Sequence, residues 1–172
     1  LSHHPDFGEG WLLRGVMAMQ HEAYGEAGEA FRRAGKHGAD RRKVSLGMIM
    51  AAAGEGKYDR AWAMALPLCE GLPDDEECFH WLLRCGTALE RWEDLEVRLK
   101  SFVARNPGNL AMRFARAGVL LRTGHREEAR LEYERLRVLA PSFEGLDELA
   151  EKLGEAEVQV PSPVQTVTGH AA

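Results

Sequence analysis

A spacing of 34 residues governs this sequence. Pro73, Pro107 and Pro141 stand 34 apart, and the same interval backwards reaches Ala39 and then Pro5. Three more columns keep this register over four units: Tyr24, Tyr58, Trp92 and Arg126; Ala27, Ala61, Leu95 and Ala129; Phe31, Ala65, Leu99 and Tyr133. A fixed period of this size implies a stack of similar units, each too small to bury its apolar face alone. In the first unit Trp11, Gly15 and Ala18 share one helical face, and Tyr24, Ala27, Phe31 and Ala34 share another beyond a turn at Glu22 to Gly25. Each unit therefore reads as two helices. The prolines after the second helices act as stop signals, because proline cannot continue a helix and biases the residue before it to extended geometry.

Composition narrows the function. Of 172 residues, 45% are hydrophobic and 28% charged, which supports a folded core and excludes wholesale disorder. No stretch approaches the roughly 20 apolar residues of a membrane span. A net charge of -5 argues against a nucleic-acid partner. Cys69, Cys78 and Cys85 form no CxxC pair, so buried free thiols in a reducing, cytoplasmic compartment are expected. Cys78 and Cys85 lie two helical turns apart, beyond disulfide reach.

Catalytic signatures are missing. The seven histidines form no HExxH and pair with no cysteine at ligand spacing, and no phosphate-binding glycine loop or GxSxG occurs. No catalytic residue, metal ligand or cofactor is therefore assigned. The acidic run Asp74 to Glu77 opens a helix, where negative charge complements the dipole. Arg32, Arg33, Lys36, Arg41, Arg42 and Lys43 form a basic set with few acidic neighbours. Arg122, Arg126, Arg130, Arg135 and Arg137 are interleaved with glutamates at helical spacing, which predicts intrahelical compensation.

The pattern resembles the tetratricopeptide repeat (TPR). Trp11, Gly15, Tyr24, Ala27, Phe31 and Ala34 carry the resemblance in unit one; Tyr58, Ala61 and Pro73 in unit two. Leu82, Trp92, Leu95 and Pro107 carry it in unit three, and Gly124, Ala129, Tyr133 and Pro141 in unit four. The departures are Arg14 and Arg116 in place of Leu, and Ile49 and Leu83 in place of a small residue, so looser helix crossings are expected in units two and three. The resemblance implies an all-α, right-handed superhelical array of antiparallel helix pairs, an α-solenoid. Its four repeats are expected at 8–41, 42–75, 76–109 and 110–141. Residues 1–7 read as a remnant of a preceding repeat or a linker, in keeping with a chain that begins at Leu1 rather than Met and is cut from a longer protein. A capping helix is expected over 142–154, with Ser142 at its start and Gly154 at its end. Val158, Val160, Pro161 and Pro163 predict an extended tail over 155–172, resting on the groove or on a neighbouring molecule.

The resemblance also implies a function. First-helix positions of such arrays line a concave groove that binds protein or peptide. Carried over, these are Leu12, Val16, Met19, Leu46, Met50, His80, Arg84, Phe114 and Arg122, some of them shared with the interhelix core. Leu12 and Val16 stand where a chaperone-carboxylate clamp needs Lys and Asn, which disfavours that subtype. The expectation is a non-enzymatic scaffold or adaptor, with self-association, including through the tail, as a further property. The alternative is the repeat region of a larger enzyme, for example a bacterial glycosyltransferase, that positions substrate or partner.

Overall fold

The computed structural model describes residues 5–154, so the expected tail 155–172 lies outside the described residues. Among the described residues there are nine helices and no strands. They are α1 (Pro5–Gln20), α2 (Tyr24–Lys36), α3 (Arg41–Gly54), α4 (Tyr58–Gly71), α5 (Glu76–Ala88), α6 (Trp92–Arg105), α7 (Leu110–Arg122), α8 (Arg126–Leu139) and α9 (Leu146–Leu153). The second helices begin at Tyr24, Tyr58, Trp92 and Arg126, which is the sequence column itself. Each helix packs mainly on its chain neighbours, so the molecule is an α-solenoid of four helix pairs closed by α9.

The same local chemistry recurs in each unit. Asp40, Asp75 and Asn109 accept a hydrogen bond from the N–H of Lys43, Cys78 and Met112 at 2.8, 3.1 and 3.0 Å, capping α3, α5 and α7. Within each pair the turn passes through one left-handed residue: Glu22, Gly56, Glu90 or Gly124, at φ 56, 74, 54 and 83°. Glycine takes this conformation freely, whereas the two glutamates hold it at a cost.

The alanine column, Ala27, Ala61 and Ala129, is fully buried, with Leu95 in the third unit. That leucine separates its helices: α5 and α6 make the sparsest pairing of the four, while α3 and α4 pack as closely as other pairs. The expected looseness therefore falls on unit three alone. A Cβ on Gly86 of α5 would already meet Trp62 at 2.6 Å and Leu95 at 2.7 Å. A Cβ on Gly15 of α1 would likewise meet the Phe31 ring.

Two boundaries differ from expectation, and one proline that the repeat register does not include lies inside a helix. Residues 5–7 belong to the first turn of α1, where Pro5 is tolerated because an N–H there has no intrahelical partner. Pro67 lies inside α4, so proline is not a stop signal everywhere. The closing helix starts at Leu146 behind Gly145 (φ 90°), so Ser142 does not cap it; Gly154 (φ 70°) does end it. Leu146, Leu149 and Leu153 cover the last apolar face, against Tyr133 and Leu136.

Candidate functional site

The first helices form the face that the sequence singles out. α1 contacts α3 and α3 contacts α5, whereas α5 and α7 make no comparable contact. The row of first helices is thus continuous at one end and opens towards the other, and a groove lies in each part.

The first groove, an open depression of about 440 Å³, is built on α1 and α3. Its floor is Leu12, Leu46 and Phe31, all buried. Its walls are Val16, Leu13, Met19 and Met50; Val16 is 47% and Leu13 63% exposed. Glu9, Lys43, Arg42 and Glu77 form a polar rim. Five of the expected site residues therefore meet here. Leu12 and Leu46 are core residues that show the groove one edge, so a charge at either would act on folding first.

Arg42 closes the rim. Its Nη2 donates to Asp75 Oδ1 at 2.9 Å and to Glu77 Oε2 at 2.8 Å, and its Nε pairs with Asp75 Oδ2. The Arg42 guanidinium holds the Asp75 carboxyl well below the usual carboxylate range, against the opposing effect of burial, and the Cys78 N–H helps. The Arg42 pKa is raised in turn. One carboxylate thus ties α3 to α5 and caps α5. A depressed carboxyl pKa contributes stability above the unfolded value of about 3.9 and loses it as pH falls below that. Asp75→Asn keeps a capping oxygen but loses the ion pair; at neutral pH it should cost about 1–2 kcal/mol, because the pair is partly exposed. Urea unfolding from pH 7 to 2 should show the gap between the two proteins narrowing below about pH 4. A gap independent of pH would sink this assignment.

The second groove, about 600 Å³, lies among α5, α7 and α9 and holds Phe114 and Arg122. Leu83, Trp92 and Leu149 complete its apolar lining, and Arg126, Lys152 and Glu148 its charged rim. His80 and Arg84 line neither groove. Both are exposed beside Trp81, with the Arg84 guanidinium 5.0 Å and the His80 ring 6.2 Å from its ring centre. Sequence reasoning missed Leu13, Arg126 and Lys152 as lining residues. Leu13 lies one turn from Glu9 on the groove side of α1, but the other two come from α8 and α9, and no first-helix rule reaches them.

Two charge expectations are revised. Half of the first basic set is compensated: Arg32 and Arg33 pair with Glu29, and Arg42 with Asp75 and Glu77. In the second set Arg130, Arg135 and Arg137 pair within α8 as expected. Glu132, however, is buried and also binds Arg113 Nη1 at 2.6 Å and Arg116 of α7. The three cysteines are free and buried, and burial pushes the Cys69 thiol up to about 12 and Cys78 to about 11. Among the described residues no helix is long and apolar enough to cross a membrane.

No protein-family model and no curated protein matches this chain. Solved structures do. MamA (residues 41 to the end) from Desulfovibrio magneticus RS-1 matches over 88% of both chains at 13% identity, TM-score 0.72. TTC0263, a thermophilic TPR protein in Thermus thermophilus, matches at 20% identity over 86% of this chain and 84% of its own, TM-score 0.62. YrrB, a TPR protein with an unusual peptide-binding site, matches at 16% identity over 80% of this chain and 71% of its own, TM-score 0.65. At such identities the likeness is one of architecture, and it agrees with the 34-residue register, the helix pairs and the recurring turns: this chain has the tetratricopeptide-repeat fold.

Proposed function

We propose that the protein is a non-catalytic, cytoplasmic scaffold that binds a protein or peptide segment along its first helices. The observation that carries this reading is the first groove: an apolar floor, exposed Val16 and Leu13 on its wall, half-buried Met19 and Met50, and a polar rim. Contiguous exposed apolar surface with a polar rim marks interaction sites, and methionine makes such surfaces adaptable. An amphipathic helix or extended segment offering apolar anchors at helical or alternate spacing fits this shape. The peptide-binding site of YrrB, on the same fold, supports the reading, as does the net acidic charge, which favours protein over nucleic acid. The three free, buried thiols support the cytoplasmic placement.

The test is a peptide-display selection on the full chain, with recovered binders remeasured on Val16→Lys. Val16 is exposed, so this change leaves folding within about 0.5 kcal/mol. Loss of a central apolar contact should weaken binding by at least about tenfold at unchanged helicity. Binders that ignore Val16→Lys would place the binding surface elsewhere.

A further inference from the structure

The second groove has a different character from the first. Leu83, Trp92, Phe114 and Leu149 give it an apolar lining. Its charged rim is Arg122, Arg126, Lys152 and Glu148, a formal excess of two positive charges in a chain of net charge -5. Lys152 is engaged by Glu148 at 2.6 Å, whereas Arg122 and Arg126 have no ion-pair partner among the described residues. The Arg122 guanidinium carbon lies 5.4 Å from the Trp92 ring centre, a cation–π contact, and its N–H donors have no hydrogen-bond partner among the described residues. Arg126 is the first residue of α8, where the helix dipole disfavours a cation. An exposed cation kept at that position without a carboxylate gives the groove positive charge at some cost to the helix.

We infer that this groove is a second docking site, for an acidic segment of another protein that carries an aromatic or aliphatic anchor between its carboxylates. The anchor enters between Phe114 and Leu149, and the flanking carboxylates meet the guanidinium edges of Arg122 and Arg126 as charge-assisted, bidentate pairs. The inference rests on the scaffold reading only in taking the partner to be a protein; the two grooves are separate.

The probe is a fluorescein-labelled eight-residue peptide of alternating Asp and Leu with one central Phe; its control has Lys in place of Asp. Fluorescence anisotropy with the full chain should give the acidic peptide at least about tenfold tighter binding at 50 mM salt, with the difference shrinking at 500 mM. Arg122→Gln/Arg126→Gln should weaken the acidic peptide by about tenfold or more at unchanged helicity. Val16→Lys should leave it unaffected, so failure of the first groove and failure of this one are told apart. Equal affinity for both peptides, or undiminished binding by the double variant, overturns the proposal. A tenfold gain on Glu155→Lys/Glu157→Lys would assign the groove to the chain's own residues and also overturns it.

Discussion

Glu132→Ala should destabilise the C-terminal end of the array by about 3–5 kcal/mol, because it strands two buried cations. Glu132 is 1% exposed, and the side chains of Arg113 and Arg116 are 8% and 11% exposed. Arg113 retains only the Pro107 carbonyl at 2.8 Å, and Arg116 only Glu128 at 3.0 Å. The same network carries a defect: the Nε–H groups of Arg113 and Arg116 are buried without a partner among the described residues. A partly satisfied ionic cluster is inferior to well-packed apolar side chains of similar volume. Arg113→Met/Arg116→Leu/Glu132→Leu should therefore be neutral or stabilising by about 1–4 kcal/mol, although it contains the damaging position. Urea unfolding distinguishes the two variants, and hydrogen exchange locates the damage: in Glu132→Ala, protection falls in α7 to α9 and persists in α1 and α2. A triple variant as unstable as the single one would mean the network supports the fold rather than burdens it.

That cluster also marks where the sequence ceased to be readable. Arg116 is visible as a charge where the repeat pattern wants leucine, and Glu132 as one of several glutamates at helical spacing in α8. Spacing within a helix reveals which residues can pair along it. It does not reveal that α7 turns two arginines onto the α8 face, since that depends on how the helices meet. The second helices, by contrast, start on the aromatic and arginine column itself, because the turn before each is only three residues long and leaves no slack for drift. Five of the nine expected groove residues come together for the same reason. Leu12, Val16, Met19, Leu46 and Met50 converge because α1 and α3 keep one register. His80 and Arg84 do not join them although α5 packs on α3 and places Glu77 on the rim: both side chains lie beside Trp81 instead, and which face α5 turns to α3 is not written in the spacing.

Phe31→Ala should cost about 3–5 kcal/mol, near the upper end of that range, because its site can collapse only in part. The ring is held between two glycines: a Cβ on Gly15 or on Gly47 would approach it to 2.6 Å. With no side chain on either glycine, truncation leaves a void beneath the first groove that Leu12, Met19 and Met50 can fill only in part. The 34-residue register shows how neighbouring junctions solve the same problem. Phe31 meets Gly47, and the register makes Ala65 and Trp81, Leu99 and Ala115, and Tyr133 and Leu149 the equivalent positions, each pair within one core cluster; bulk at one position is matched by a smaller residue at the other, or shared. Close packing demands the sum, and the chain is free to choose the side. Gly47→Leu alone should therefore be destabilising by about 1–3 kcal/mol or more through overpacking. Phe31→Ala/Gly47→Leu should recover part of both losses, with a favourable coupling above about 1 kcal/mol in a double-mutant cycle. In a quasi-one-dimensional stack the loss is local, so hydrogen exchange in Phe31→Ala should rise across α1 to α3 while α8 and α9 stay protected. Strict additivity of the two substitutions would show that ring and notch do not form one packing unit, and the size-matching across junctions would lose its physical basis.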